Sequence, residues 1–190
     1  LYRVNITSGK VTRLTHAPGW HICQLSPDKR HFTDNYSSLN VPRVVAVGST
    51  DGRFYRDVFR ADDPCLDYNY APIELGTLPS ADGKYLNHYR LIRPLDFDST
   101  KQYPVILYVY GGPHTQLVRN NYQANLRRWE MYMAQRGYIL FIIDNRGTPN
   151  HGADYARAIH RQCGVVEMQD QMAGLQWLMS HSWVDKNRIG

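Results

Sequence analysis

What this sequence lacks narrows it before any motif is read. No apolar run approaches the about 18 residues that a spanning helix needs, so no membrane contact is expected from this segment. Cysteine is scarce: Cys23, Cys65 and Cys163 lie far apart and are odd in number. Their spacing fits neither a zinc site nor a disulfide framework, so no metal is expected. The first residue is Leu1, not methionine, and no signal peptide is visible, so the chain reads as an excised piece. The net charge is +5, yet the 22 Lys and Arg never run five together. Scattered cations read as a solvated basic surface, and no nucleic-acid partner is expected. Gly111-Gly112 lacks the further glycine and the lysine of a phosphate loop. No motif calls for a cofactor.

What is present is a globular composition, 43% hydrophobic and 21% charged over 190 residues, enough for one domain or parts of two. Fourteen tyrosines and four tryptophans suit a β-rich or carbohydrate- or peptide-facing protein. The first 60 residues predict six short strands: Leu1–Thr7, Val11–Thr15, Trp20–Leu25, Arg30–Tyr36, Arg43–Gly48 and Arg53–Val58. Ser8-Gly9-Lys10, Ser26-Pro27-Asp28-Lys29 and Thr50-Asp51-Gly52 supply turns between them. So few strands cannot bury a core alone. They suit the last blade of a β-propeller, or a small independent meander. Breakers in Ala61–Pro72 mark a linker, and Ile73–Leu78 with Tyr85–Ile92 read as paired strands.

The chain is organised around Pro104–Pro113. Val105–Val109 is an apolar run dense in β-branched and aromatic residues, as expected of a strand buried on both faces. Gly111, Gly112 and Pro113 stop it abruptly. Tyr110 then falls at the carboxyl end of a buried strand, where open α/β sheets place their ligands; it is either a packing residue or a site residue. Beyond the stop the period becomes helical at Leu126, Trp129 and Met133, with Gly137 at the helix end. Tyr138–Ile143 predicts a second buried strand, and Ala153–His160 a short helix. Val165, Met168, Met172, Leu175 and Met179 mark the apolar face of a longer one. Asp185–Arg188 predicts a turn, and Arg188-Ile189-Gly190 the opening of a third strand. Strand, helix, strand, helix, strand is the order of a parallel sheet with right-handed crossovers.

Tyr110-Gly111-Gly112-Pro113, Asp144-Asn145-Arg146-Gly147, Gly164 with Glu167, Asp170 and Gln171, Trp183-Val184-Asp185, and Arg188-Ile189 follow one another in a specific order. This set resembles the prolyl oligopeptidase family of serine peptidases, in its dipeptidyl peptidase IV branch. Ser26–Val58 is similar to the family's last propeller blade, so the resemblance covers essentially the whole chain. It implies an α/β protein: residues 1–60 end a β-propeller, 61–72 link, and 73–190 begin an α/β-hydrolase domain with a parallel sheet.

The resemblance further implies a serine exopeptidase that releases dipeptides from peptide amino termini, with Pro or Ala favoured as second residue. Tripeptidyl and acylaminoacyl peptidases of the family, and an inactive binding protein, are the alternatives. The nucleophile would lie in a Gly-x-Ser-x-Gly elbow directly after the strand at Arg188, so this segment is expected to be inactive alone. The triad's acid and base, and the glutamates that hold the substrate amino group, are likewise expected outside it. Tyr110 matches the tyrosine whose hydroxyl donates to the oxyanion. The implied partner is a peptide; a homodimeric parent and a periplasmic or secreted location are expectations from the family alone.

Other candidates have plainer readings. Asp144 ends a strand as a triad acid might, but the resemblance makes Asp144 and Arg146 paired scaffold residues. Glu167, Asp170 and Gln171 read as favourable charge and polarity at a helix amino terminus. His114 reads as a loop histidine, and His160 and His181 have no ligand-spaced partner. Met168, Met172 and Met179 read as core packing.

Overall fold

The computed structural model describes residues 1–125 and 127–190. It resolves into two compact units, residues 1–68 with 119–125, and residues 69–118 with 127–190.

In the first unit β1 (Tyr2–Val4) pairs antiparallel with β2 (Val11–Arg13). Four longer strands, β3 (Trp20–Leu25), β4 (His31–Ser38), β5 (Val41–Ser49) and β6 (Tyr55–Arg60), form an antiparallel meander in sequence order. One device closes two of its three hairpins. Ser26 donates to Asp28 at 2.6 Å, and the same carboxylate accepts the Arg30 N–H at 3.0 Å. Ser49, Asp51 and Arg53 repeat that geometry. These bonds hold the Asp28 and Asp51 carboxyls below their ordinary range, the serine hydroxyl being the main cause. Inside the meander, buried Asp34 accepts from His21 Nδ1 and the Tyr55 hydroxyl, each at 2.7 Å. Burial, with Asp34 beside it, pushes the Cys23 thiol up to about 11. Residues 119–125 belong to this unit: the Gln123 N–H donates to the Leu39 carbonyl at 2.9 Å, and Asn120 accepts from the Leu39 N–H at 3.0 Å.

In the second unit β7 (Ile73–Pro79), β8 (Leu86–Ile92), β9 (Tyr103–Leu107), β10 (Ile139–Asp144) and β11 (Val184–Ile189) form one sheet in the order β11-β9-β10-β8-β7. β9, β10 and β11 run parallel, with Ile139 opposite Val105 and Phe141 opposite Leu107. β8 and β7 join antiparallel, Asp144 facing His88. The parallel strands read from the sequence are there, but the sheet is mixed, because the β7–β8 hairpin extends it beyond β10.

Every residue of β10 is buried. Its side chains alternate between two cores, as the period of two requires. Ile139, Phe141 and Ile143 pack with Val105, Leu178 and Trp177. Leu140 packs with Ile92 and Ala134 on the opposite side. Each fully buried Ile, Leu or Phe stabilises the unit by about 1.5–3 kcal/mol. Helix α1 (Arg128–Gln135) supplies Ala134, α2 (Ala153–Arg157) follows β10, and α3 (Val166–Met179) supplies Leu178 and Trp177.

Several expectations need correction. The central strand ends at Leu107, earlier than its apolar run. The Tyr108 N–H still donates to the Phe141 carbonyl at 3.0 Å, and then the chain leaves the sheet. Of the helical positions Leu126, Trp129 and Met133, Leu126 lies outside the described residues, Trp129 is exposed, and Met133 packs on the core beside Ala134 and Leu140. α1 instead buries Glu130, Met131 and Ala134, because Glu130 must reach the guanidinium of buried Arg90, 2.9 Å away. The methionine face of α3 is turned outward: Met168 is 60% and Met172 43% exposed, and only Met179 touches the core. The buried face carries Glu167, Asp170, Gln171 and Gly174. Asp185–Arg188 is not a turn preceding a strand but a bulged part of β11. Five steps there, Val184 to Ile189, match two on β9, Tyr103 to Val105.

Candidate active site

The candidate site is the turn that follows β9. Gly111 has a positive φ of 73°, which a side chain would strain. Gly112 lies against the Tyr110 ring, and a Cβ there would sit 3.2 Å from Tyr110 Cε1. The phenol therefore rests on bare backbone. Tyr110 is 45% exposed, and its hydroxyl has no hydrogen-bond partner among the described residues.

The end of β10 anchors this turn and the loop after it. Asp144, Asn145 and Arg146 are consecutive and all buried, yet each serves a different element. The Asp144 carboxylate accepts the Leu117 and Val118 N–H groups, each at 3.0 Å, and so fixes the loop beyond the turn. Asn145 Nδ2 donates to the Gly111 carbonyl at 3.3 Å and to the Arg146 carbonyl at 2.7 Å. Arg146 turns to α3 and meets Asp170 with Nε and Nη2, while its Nη1 donates to Asp82 at 2.6 Å. Asp170 holds the Arg146 guanidinium above its ordinary value. Asp170 also accepts the Arg146 and Ala81 N–H groups, each at 2.9 Å.

Asp144 and Arg146 are thus both scaffold, but they are not each other's partners. Asp170 and Gln171 do more than place charge at a helix start. Asp170 closes a buried ion network, and Gln171 donates to the Ile143 carbonyl and to Asn145 Oδ1. Glu167 alone keeps the helix-start role, accepting the Gly164 N–H at 2.8 Å.

Beyond Asn145 the strand breaks at Gly147. Its φ of 98° and the 2.6 Å that a Cβ would leave to Ile159 both require glycine. Tyr155 lies within 2.8 Å of the Asn87 Oδ1 and Asp144 carbonyl oxygens, and burial raises its pKa. Beside it His88 and His151 stack at 4.8 Å, and burial lowers both imidazoles. Neither histidine, nor Asp82, nor the Arg90–Glu130 pair stands out in the sequence. Only Asp82 leaves a signal there, since Ser80 and Asp82 repeat the Ser-x-Asp spacing of the two hairpins above.

His114 and His160 are exposed, and His181 is wedged between Trp177 and Trp183. Among the described residues no group of three or more His, Cys, Asp or Glu is placed to hold a metal ion. Likewise no described helix is long and apolar enough to cross a membrane. A cavity of about 300 Å³ adjoins the turn, lined by Leu107, Val109, Met168, Gln171, Met172 and Leu175 among others.

Three parallel strands with helices between them in a mixed sheet, and a glycine turn beyond one of those strands, form an architecture of α/β enzymes. Residues 124–190 match the model of the prolyl oligopeptidase family. Human dipeptidyl peptidase 8 is 31% identical over 100% of this chain and 22% of its own length. A Bacteroides ovatus structure described as a dipeptidyl aminopeptidase IV superposes with a TM-score of 0.90 at 39% identity, over 100% of this chain and 27% of the other. Porphyromonas gingivalis dipeptidyl peptidase 4 does so at 0.83 and 28%, again over 100% and 27%. Residues 124–190 belong to the prolyl oligopeptidase family, and the chain spans about a quarter of the length of these relatives.

Proposed function

We propose that this chain is part of a serine-type dipeptidyl peptidase, one that removes dipeptides from peptide amino termini with Pro or Ala as second residue. On this reading residues 1–60 end a β-propeller, 61–72 link, and 73–190 begin the hydrolase domain. The observation that carries it is Tyr110. Its phenol stands in the turn just beyond β9, lies on Gly112, and has a free hydroxyl among the described residues. A tetrahedral intermediate of acyl transfer concentrates negative charge on the former carbonyl oxygen. A phenol already held in place meets that charge without reorganisation.

The activated serine, its base and its acid come from outside these 190 residues on this reading. One donor cannot replace an activated nucleophile, so residues 1–190 alone turn nothing over. The test uses the enzyme that carries this chain. Free-amino Gly-Pro and Ala-Pro anilides should be cleaved, and their N-acetylated forms should not. Cleavage of acylated substrates only, release of tripeptides only, or no turnover of any of them overturns the proposal.

A further inference from the structure

The sequence passes over Asn145 as one letter of a four-residue motif, but its amide is fixed in a way that bears on the turn. The Gln171 amide nitrogen has two protons and two acceptors, the Ile143 carbonyl at 3.1 Å and Asn145 Oδ1 at 2.9 Å. Asn145 must therefore present its oxygen to Gln171 and its nitrogen elsewhere. That nitrogen also has two protons and two acceptors, the Arg146 and Gly111 carbonyls. The direction of donation is thus set throughout, from α3 through Asn145 to the turn, and neither amide can flip without breaking bonds at both ends. Asn145 is 1% exposed, so no solvent competes for its donors.

The carbonyl it holds belongs to the residue directly after Tyr110. Gly111 and Gly112 confer the most conformational freedom a turn can have, and that freedom has to be removed for the phenol to be held. We propose that Asn145 is a positioning residue for Tyr110. By fixing the Gly111 carbonyl it sets the turn, and with it the direction of the phenol. It touches no substrate. The inference rests on Tyr110 acting as the oxyanion donor.

A double-mutant cycle in the enzyme carrying this chain tests it. Asn145→Ala should lower kcat by about 10–100-fold, the scale of a 1 Å misplacement, with KM nearly unchanged. In a Tyr110→Phe background the same change should lower kcat by less than about twofold, because the hydroxyl it positions is already gone. Asn145→Asp keeps the acceptor for Gln171 and removes the donor to Gly111, so it should reproduce the loss. If Asn145→Ala does not fold, Asn145→Ser, too short to reach Gly111, takes its place in the cycle. An Asn145 variant that folds with kcat within about twofold of the parent overturns the inference, as does an equal loss in both backgrounds. If Tyr110→Phe is itself near normal, the reading of Tyr110 falls and this inference with it. If Tyr110→Phe is slow and Asn145 variants are not, only the inference falls.

Discussion

Arg146 and Asp170 meet side-on: Nε and Nη2 of the guanidinium lie 3.0 and 2.9 Å from the two carboxylate oxygens, and the Arg146 N–H donates to the same carboxylate at 2.9 Å. The last bond of the strand end and the first buried turn of α3 are therefore one structure. Asp170 is 0% exposed. Taking its charge away leaves a buried guanidinium with only Asp82 for compensation.

Asp170→Ala should accordingly destabilise the protein by about 3–5 kcal/mol, the cost of orphaning one partner of a buried pair. Urea unfolding measures it. A loss below about 1 kcal/mol would make the pair an incidental one of the surface type.

Tyr110→Phe keeps the ring on Gly112 and removes one hydroxyl. In the enzyme carrying this chain kcat should fall by about 10²–10³-fold, as when one oxyanion donor is deleted, while KM moves little. Melting temperature should stay close to the parent's, because no cavity forms. A kcat within about threefold of the parent would leave Tyr110 without a catalytic role.

The stacked His88 and His151 should make stability sensitive to mild acid. Burial lowers both imidazoles, so the unfolded chain takes up protons near pH 6.5 while the folded protein resists. More protons on the unfolded side means that stability rises with pH. The contribution is fully present above about pH 6.5 and is lost as pH falls from there through the folded values. Melting curves at pH 5 and 7.5 should differ more for the parent than for a His88→Phe/His151→Phe variant, which keeps the stack and cannot titrate. An unchanged difference would exclude the pair as its source.

Gly174→Ala separates helix propensity from packing. On an exposed face the change would favour α3 by about 1 kcal/mol. Here the new Cβ would lie 2.9 Å from Ile143 Cδ1 and 3.4 Å from Phe141 Cε1, so the end of the Ile143 side chain has to shift within the buried face of β10. Overpacking costs about 1–3 kcal/mol and the helix gain offsets about 1, so a net destabilisation of up to about 2 kcal/mol is expected from chemical denaturation. A stabilised variant would mean that the helix can lift from β10 freely.

Strands were easiest to read from the sequence, and the reason is local. Trp20–Leu25 and Ile73–Leu78 carry both their own period and their own turn residues, and they are found where expected, to within a residue. The face of α3 was not legible. Its methionines have helical spacing and an apolar character, so they imitate a core stripe. What lies inward is decided by Arg146, which is 24 residues away and needs Asp170. Helix periodicity has no access to that demand. Glu130 misleads in the same way, since a charged residue on α1 reads as solvent-facing until Arg90 is seen behind it. Within the site, Tyr110 was visible through the glycines that follow it, although the strand itself already ends at Leu107. Asn145 and Gln171 were visible only as members of motifs, because the sense of an amide's hydrogen bonds is written in its neighbours' geometry and not in its letter.

The end of β10 also behaves like a reading frame. Asp144, Asn145 and Arg146 address a loop, a turn and a helix in strict succession, and the β10 register sets which residue faces which. One residue inserted or deleted between Ile139 and Asp144 would advance that succession by one step: asparagine would face the helix carboxylate, or arginine the Gly111 carbonyl. At the same time the strand residues beyond the change would swap faces of the sheet, so that Ile143 would leave the core it shares with Ile139 and Phe141. The exposed bend at 98–101 imposes no such phase, and each doubling of a loop's length costs only about 0.6 kcal/mol. Length variation compatible with this fold should therefore accumulate in such bends, while the eight residues from Ile139 to Arg146 keep a fixed count.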